Sequence, residues 1–142
     1  MILRKALVLD ANILIRAVFG IRVFTILELY EDSAEFHSPS QCFEEARRNI
    51  SRIAKCRDLD VAISLAALDR IASVVEWVDR SLYEEFELPA KARISARDPD
   101  DWPIVATALM LNAPIWTEDR DFFGSGIATW TTDRIEIFLR DA

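Results

Sequence analysis

Apolar residues along this chain come in short blocks that switch between two periods. Residues 6–10 are a continuous apolar run closed by Asp10, as in a buried strand. Residues 12–19 and 22–31 repeat apolar positions at helical spacing, and Gly20 is a stop for the first. Residues 35–37 suit a short strand. Ser38-Pro39-Ser40-Gln41 then reads as a helix start, with Ser38 as cap, Pro39 at the first helical position and Gln41 completing a capping box. That helix runs to about residue 55, and another apolar-periodic helix covers 59–73. Residues 74–77 read as a strand. Residues 79–97 lean to helix, interrupted at Pro89. A helix over 104–111 follows an acidic cluster, 114–116 and 128–130 are brief strands, and 132–140 closes as a helix. Strands alternating with helices predict an α/β protein whose sheet is mostly parallel and covered on both faces.

Composition narrows the class. The chain has 142 residues, half of them apolar, which is enough for one domain spanning 1–142 with a full core. Its two cysteines, Cys42 and Cys56, lack zinc-like spacing and suit a reduced, cytoplasmic setting. A single histidine, His37, excludes a His-rich zinc site and argues against a Ser-His-Asp triad. The apolar run at the start is broken by Asp10, too early for a signal peptide or membrane span. A net charge of −7 runs against simple wrapping around nucleic acid.

The placement of the acids changes that picture. Asp10 ends the first strand. Asp98, Asp100 and Asp101 precede the helix over 104–111, and Asp119 and Asp121 follow the strand over 114–116. Positions of this kind converge at one edge of an α/β sheet, where ligands bind. Gathered carboxylates repel one another unless a divalent ion sits among them. The pattern therefore points to a metal-dependent phosphodiesterase. Taken alone, Asp10 would be read as a helix cap and Asp119 as part of a polar turn. On the helix after Pro39, steps of about 100° gather Cys42, Phe43, Ala46, Ile50 and Ile53 on one face. Glu45 falls at the margin of that face and Glu44 nearly opposite, so Glu45 is the candidate ligand. Pro103 belongs in a first turn, so Asp100, Asp101 or Trp102 begins that helix. Asp101 then lies in or beside the first turn, and Asp98 reaches in from the loop. Asn12 can cap a helix or hold a water, and Thr117 can fix its loop. Arg48, Arg52 and Arg97, from two basic runs flanking the acids, are candidate substrate contacts. Trp102 is a candidate for stacking on bases, whereas Trp116 sits in an apolar run and reads as core.

Together these residues resemble the PIN-domain nuclease family, including the VapC-type toxins of bacterial toxin–antitoxin pairs. The resemblance rests on Asp10-Ala11-Asn12-Ile13-Leu14-Ile15 after a strand, Glu45 on a mid-chain helix, Asp101 followed by Ile104-Val105-Ala106-Thr107-Ala108, and Thr117, Asp119, Asp121 and Phe122. It runs from about residue 6 to residue 138. Trp102-Pro103 departs from it, being bulkier and stiffer than the small residues often found after the third acid. The resemblance implies a three-layer α/β/α sandwich with a central parallel sheet. It implies Mg²⁺ or Mn²⁺ held by Asp10, Asp101 and Asp119, with Glu45 and Asp121 supporting. It also implies cleavage of single-stranded RNA, a cognate antitoxin protein and a homodimer. An aspartyl phosphatase is the weaker rival, because position 12 is Asn and no suitable lysine follows. A catalytically silent binding module is the alternative from another class, but it would be expected to have lost some of these acids.

Overall fold

The computed structural model describes residues 4–94 and 97–140. Its strands are β1 (Lys5–Leu9), β2 (Ala34–Pro39), β3 (Val75–Val78), β4 (Ile115–Trp116) and β5 (Thr129–Trp130). Its helices are α1 (Ala11–Phe19), α2 (Arg22–Tyr30), α3 (Ser40–Cys56), α4 (Val61–Ala72), α5 (Arg80–Tyr83), α6 (Glu87–Ile94), α7 (Trp102–Leu111) and α8 (Ile135–Arg140). The strands form one sheet in the order β3-β2-β1-β4-β5, and every neighbouring pair is parallel. Helices α1 to α4 pack together as one layer, while α7 lies on β1, β2 and β4 with α5 and α6 against it. The result is an α/β/α sandwich. Leu7, Val8 and Leu9 are all fully buried, as a strand covered on both faces requires.

This order has a consequence for chemistry. The chain winds from β1 outward through β2 to β3, then returns to place β4 on the other side of β1. The winding reverses between β1 and β4, and the crevice beyond the C-terminal ends of such a pair is where open α/β sheets bind ligands. The register pairs Val8 with Ile115 and Leu9 with Trp116. The next residues along the two strands are Asp10 and Thr117, so parallel pairing brings them together at the sheet edge.

Most elements match the pattern of apolar positions, and the differences have local causes. Strand β2 continues through Ser38 and Pro39, so α3 starts at Ser40 and no side-chain cap forms. The Ser38 hydroxyl instead donates to the Leu9 carbonyl at 2.8 Å, tying β2 to the end of β1. Pro39 is the last strand residue and pairs with Val78. Pro89 does not interrupt a helix, because it falls in the first turn of α6, where a missing N–H costs little. The helical expectation over 79–97 includes residues 95 and 96, which lie outside the described residues. Helix α7 begins two residues earlier than 104, after a 3-10 turn over Pro99–Asp101. It is buried from Trp102 to Ala108, so its sequence lacks an exposed stripe by which its start could be read. Its C-cap is Asn112, in the left-handed region with φ 52°. Helix α8 starts at Ile135 rather than 132, after a turn.

Candidate active site

Asp10 is the N-cap of α1, and its Oδ1 accepts the Ile13 N–H at 3.0 Å. Its other oxygen accepts from the Thr117 hydroxyl. Thr117 Oγ1 in turn accepts the Asp119 N–H at 2.9 Å, so a fully buried hydroxyl locks two acids from different strand ends together. Asp119 Oδ1 then accepts the Asp121 N–H at 2.9 Å and caps a 3-10 turn over Arg120–Phe122. Asp10 is only 5% exposed. Burial pushes its carboxyl up to about 6, offset by the hydrogen bonds from Thr117 and Ile13 and reinforced by the charges of Asp119 and Glu45.

A cavity of about 150 Å³ opens over this edge, lined among others by Asp10, Asn12, Glu45, Asn49, Asp101 and Asp119. Helix α3 brings Glu45 to it, as its position beside the apolar face predicts. Glu44, one step round the helix, is exposed and does not line the cavity. Asp101 arrives on the turn before α7. Burial pushes its carboxyl up to about 7, and the charges of Asp98, Asp119, Asp10 and Glu45 add to the effect. The acids singled out in four separate stretches of sequence thus act on one another electrostatically.

Two further acids, Asp98 and Asp121, form a second grouping with Asp101. Asp98, Asp101 and Asp121 each offer a carboxylate oxygen, and these oxygens lie within 4.8 Å of one another. Among the described residues they are the one trio of metal-ligating side chain types drawn that close. Asp101 therefore belongs both to the cavity and to this trio, whereas Asp121 stands with Asp98 and not on the cavity wall. Asp98 also accepts the Asp100 N–H at 3.1 Å. The donor set is all oxygen. Cys42 lies buried nearby, but burial, and then the Asp10 charge, hold its thiol well above the ordinary range. Closely spaced carboxylates with an all-oxygen donor set suit a hard divalent cation such as Mg²⁺ or Mn²⁺.

The basic and aromatic candidates lie outside this cavity. Arg48, Arg52 and Arg97 are exposed, and none lines the cavity. Arg52 reaches it indirectly, donating to Asn49 Oδ1 at 3.2 Å. Lys91 and Arg93 of the second basic run are held by Glu87 and by the Ser125 carbonyl. Trp102 is buried, meets Tyr83 edge-on at 5.6 Å and is flanked by Arg80 and Lys91, so its ring is not open to a base. Trp116 is core, with its indole N–H donating to Thr132. Asn49 is the cavity residue that sequence reasoning passed over. Its signal is the spacing, one turn beyond Glu45 on the same helix face.

A parallel sheet with a winding reversal and an acidic, oxygen-only crevice beside it defines the class: an α/β protein with carboxylates gathered at its switch point. The PIN domain family model matches residues 8–140, and the chain belongs to that family. Solved structures agree on the fold. VapBC2 from Rickettsia felis, bound to a DNA fragment from its promoter, aligns with a TM-score of 0.70 at 17% identity, covering 89% of this chain and 98% of that one. A toxin–antitoxin complex from Klebsiella pneumoniae aligns with a TM-score of 0.62 at 19% identity, covering 88% and 96%. A Pyrobaculum aerophilum protein aligns with a TM-score of 0.71 at 16% identity, covering 98% and 91%. No curated protein matches the chain in sequence.

Proposed function

We propose that this PIN domain is a metal-dependent endoribonuclease that hydrolyses phosphodiester bonds of single-stranded RNA, acting in the cytoplasm as the toxin of a toxin–antitoxin pair. The observation that carries the reading is the meeting of Asp10, Glu45, Asp101 and Asp119 around one cavity at the winding reversal. Asp10, Asp101 and Asp119 would hold Mg²⁺ or Mn²⁺, with Glu45, Asp98 and Asp121 supporting. When bound, the cation supplies charge neutralisation at the scissile phosphate and a more acidic water.

The chain's own residues set the geometry. Thr117 and the Ile13 N–H fix both oxygens of Asp10, so its carboxylate presents one orientation. Asp119 is held through Thr117 and the Asp121 N–H. Asn12 and Asn49 offer amides at the cavity wall, suited to orienting a water or a phosphate oxygen. Near neutral pH, protons held on the Asp10 and Asp101 carboxyls must leave before these groups act as ligands.

Partners follow from the same reading. One of the structural neighbours is a toxin–antitoxin complex, which supports a cognate antitoxin here. Leu29 on α2 and Ile63 on α4 are 66% and 70% exposed, large apolar side chains that suit a homodimer or antitoxin contact. Among the described residues, no helix is long and apolar enough to cross a membrane.

The test is cleavage of end-labelled single-stranded RNA with Mg²⁺, Mn²⁺ or EDTA, comparing wild type with Asp10→Asn. Cutting by wild type alone, and only with metal, is the expected result. Equal cutting by both proteins, or none by either, overturns the reading.

A further inference from the structure

A second cavity, of about 830 Å³, adjoins the acidic one and shares Asn12 and Ile15 with it. It extends from the acids past the end of α1, under the turn into α2 and against the C-terminal part of α3. Its size falls in the range of roughly 300–1,000 Å³ that encloses a small organic ligand. Three guanidinium groups line it: Arg16 on α1, Arg22 at the start of α2 and Arg57 at the end of α3. Arg16 stands one helical turn beyond Asn12, about 6 Å along the axis. The arginines thus begin where the acids stop.

These side chains are not used to hold the fold together by charge. Among the described residues, none of the three has a carboxylate within ion-pair distance, unlike Arg80, Lys91 and Arg140. The two acids in the same lining make their hydrogen bonds elsewhere, although the Arg22 charge acts on Asp133. Glu118 accepts the Thr132 N–H at 2.7 Å, and Asp133 accepts the Thr131 hydroxyl at 2.6 Å. Arg57 lies over the Phe19 ring at 5.5 Å, which orients its guanidinium with no anion present. Three unpaired arginines facing one cavity, on a chain of net charge −7, mark the place where an anionic strand meets attraction rather than repulsion.

Resting on the ribonuclease reading above, we infer that this arginine-lined cavity is the strand-holding subsite of the enzyme. Arg16, Arg22 and Arg57 take the phosphates flanking the bond placed at the acids. RNA fits better than an acidic peptide, because an RNA strand carries a phosphate at every residue. One phosphate at the acids therefore brings its neighbours into the adjoining cavity. The reading also replaces Arg48, Arg52 and Arg97 as the substrate contacts, since none of them lines either cavity.

The test pairs cleavage with binding. Arg16→Gln/Arg22→Gln and the triple variant adding Arg57→Gln are compared with wild type and with Arg47→Gln/Lys55→Gln, two exposed cations that line neither cavity. A thermal melt verifies folding, and the double variant serves if removing the guanidinium from the Phe19 ring unfolds the triple. Expected is a rise in KM of about tenfold or more with kcat within a few-fold, and no such rise for Arg47→Gln/Lys55→Gln. Binding of a fluorescein-labelled single-stranded RNA in EDTA should weaken in parallel. Its log–log salt slope should fall by about 0.7 for each phosphate that is no longer neutralised. If wild type cuts RNA but the double variant keeps its KM and salt slope, the subsite is overturned and the ribonuclease reading stands. If wild type neither cuts nor binds RNA, both fall. If the variants lose affinity for a poly-glutamate peptide but not for RNA, the cavity belongs to a protein segment and the inference is wrong.

Discussion

At the scale of single residues, Asp10 has two separable roles. It caps α1 and it faces the acids. Asp10→Asn keeps an oxygen for the Ile13 N–H and removes the charge, so it should abolish cleavage while leaving the melting temperature unchanged or raised. Asp10→Ala also removes the cap and should cost about 1 kcal/mol in a urea titration. The raised carboxyl gives a pH dependence with a definite sign. Asp10 is pushed from 3.8 to about 6 in the folded chain, so the folded state binds more protons than the unfolded state between these values. Metal-free stability is therefore highest below about pH 4 as far as this group is concerned. It declines as pH rises through about 6, by roughly 3 kcal/mol in all. Asp101, pushed up to about 7, extends the decline toward neutrality. Melting in EDTA from pH 4.5 to 7.5 should show the fall, and Asp10→Asn should flatten its lower part. Thr117→Val removes the donor to Asp10 and the acceptor for the Asp119 N–H. It should cost about 1–3 kcal/mol, since a buried polar group loses its partner, and push the Asp10 carboxyl higher still. A melt that Thr117→Val leaves unmoved would contradict the locking role given to that hydroxyl.

At the scale of elements, the site depends on where each helix starts. Trp102-Pro103 opens α7 directly after Asp101, and Trp102 is anchored against Tyr83. Trp102→Ala should destabilise by about 3–5 kcal/mol and weaken metal-dependent cleavage by loosening the turn that carries Asp101. An unaltered cleavage rate in a folded Trp102→Ala protein would show that the anchor does not position the acid. The elements also explain what could be read in the residues. Asp10 and Asp119 follow apolar strand runs, so their places at the sheet edge were legible, and angular position on α3 separated Glu45 from Glu44. The start of α3 was not legible. Ser38-Pro39 carries every local sign of a helix start, but pairing with β3 and the bond to Leu9 hold it in the sheet. The association of Asp98 with Asp121 was equally hidden, because it joins two loops that meet only after the sandwich closes. The arginine lining of the larger cavity escaped for the same reason. Arg16 and Arg22 stand alone in sequence, and Arg57 is the last member of the basic run on and after α3, which gives no sign that it turns toward α1.

At the scale of the whole molecule, repulsion among the acids and attraction by a cation oppose each other. Saturating Mn²⁺ should stabilise the wild-type fold, by about 2.7 kcal/mol at a hundred times its dissociation constant. Asp101→Asn, which removes an acid common to the cavity and the close trio, should lose most of that gain in a metal-dependent melt. An equal gain in wild type and variant would place the cation elsewhere. The strand order carries a last consequence. Asp10 follows the first strand made, but its partners Thr117 and Asp119 follow β4, which docks beside β1 only after β2 and β3 have been laid down on the other side. A chain emerging from the ribosome displays Asp10 and Glu45 long before it displays the acids that complete the crevice. With the function proposed here, a nascent chain cannot cut the message it is being read from until Thr117 and Asp119 have been made and β4 has docked beside β1.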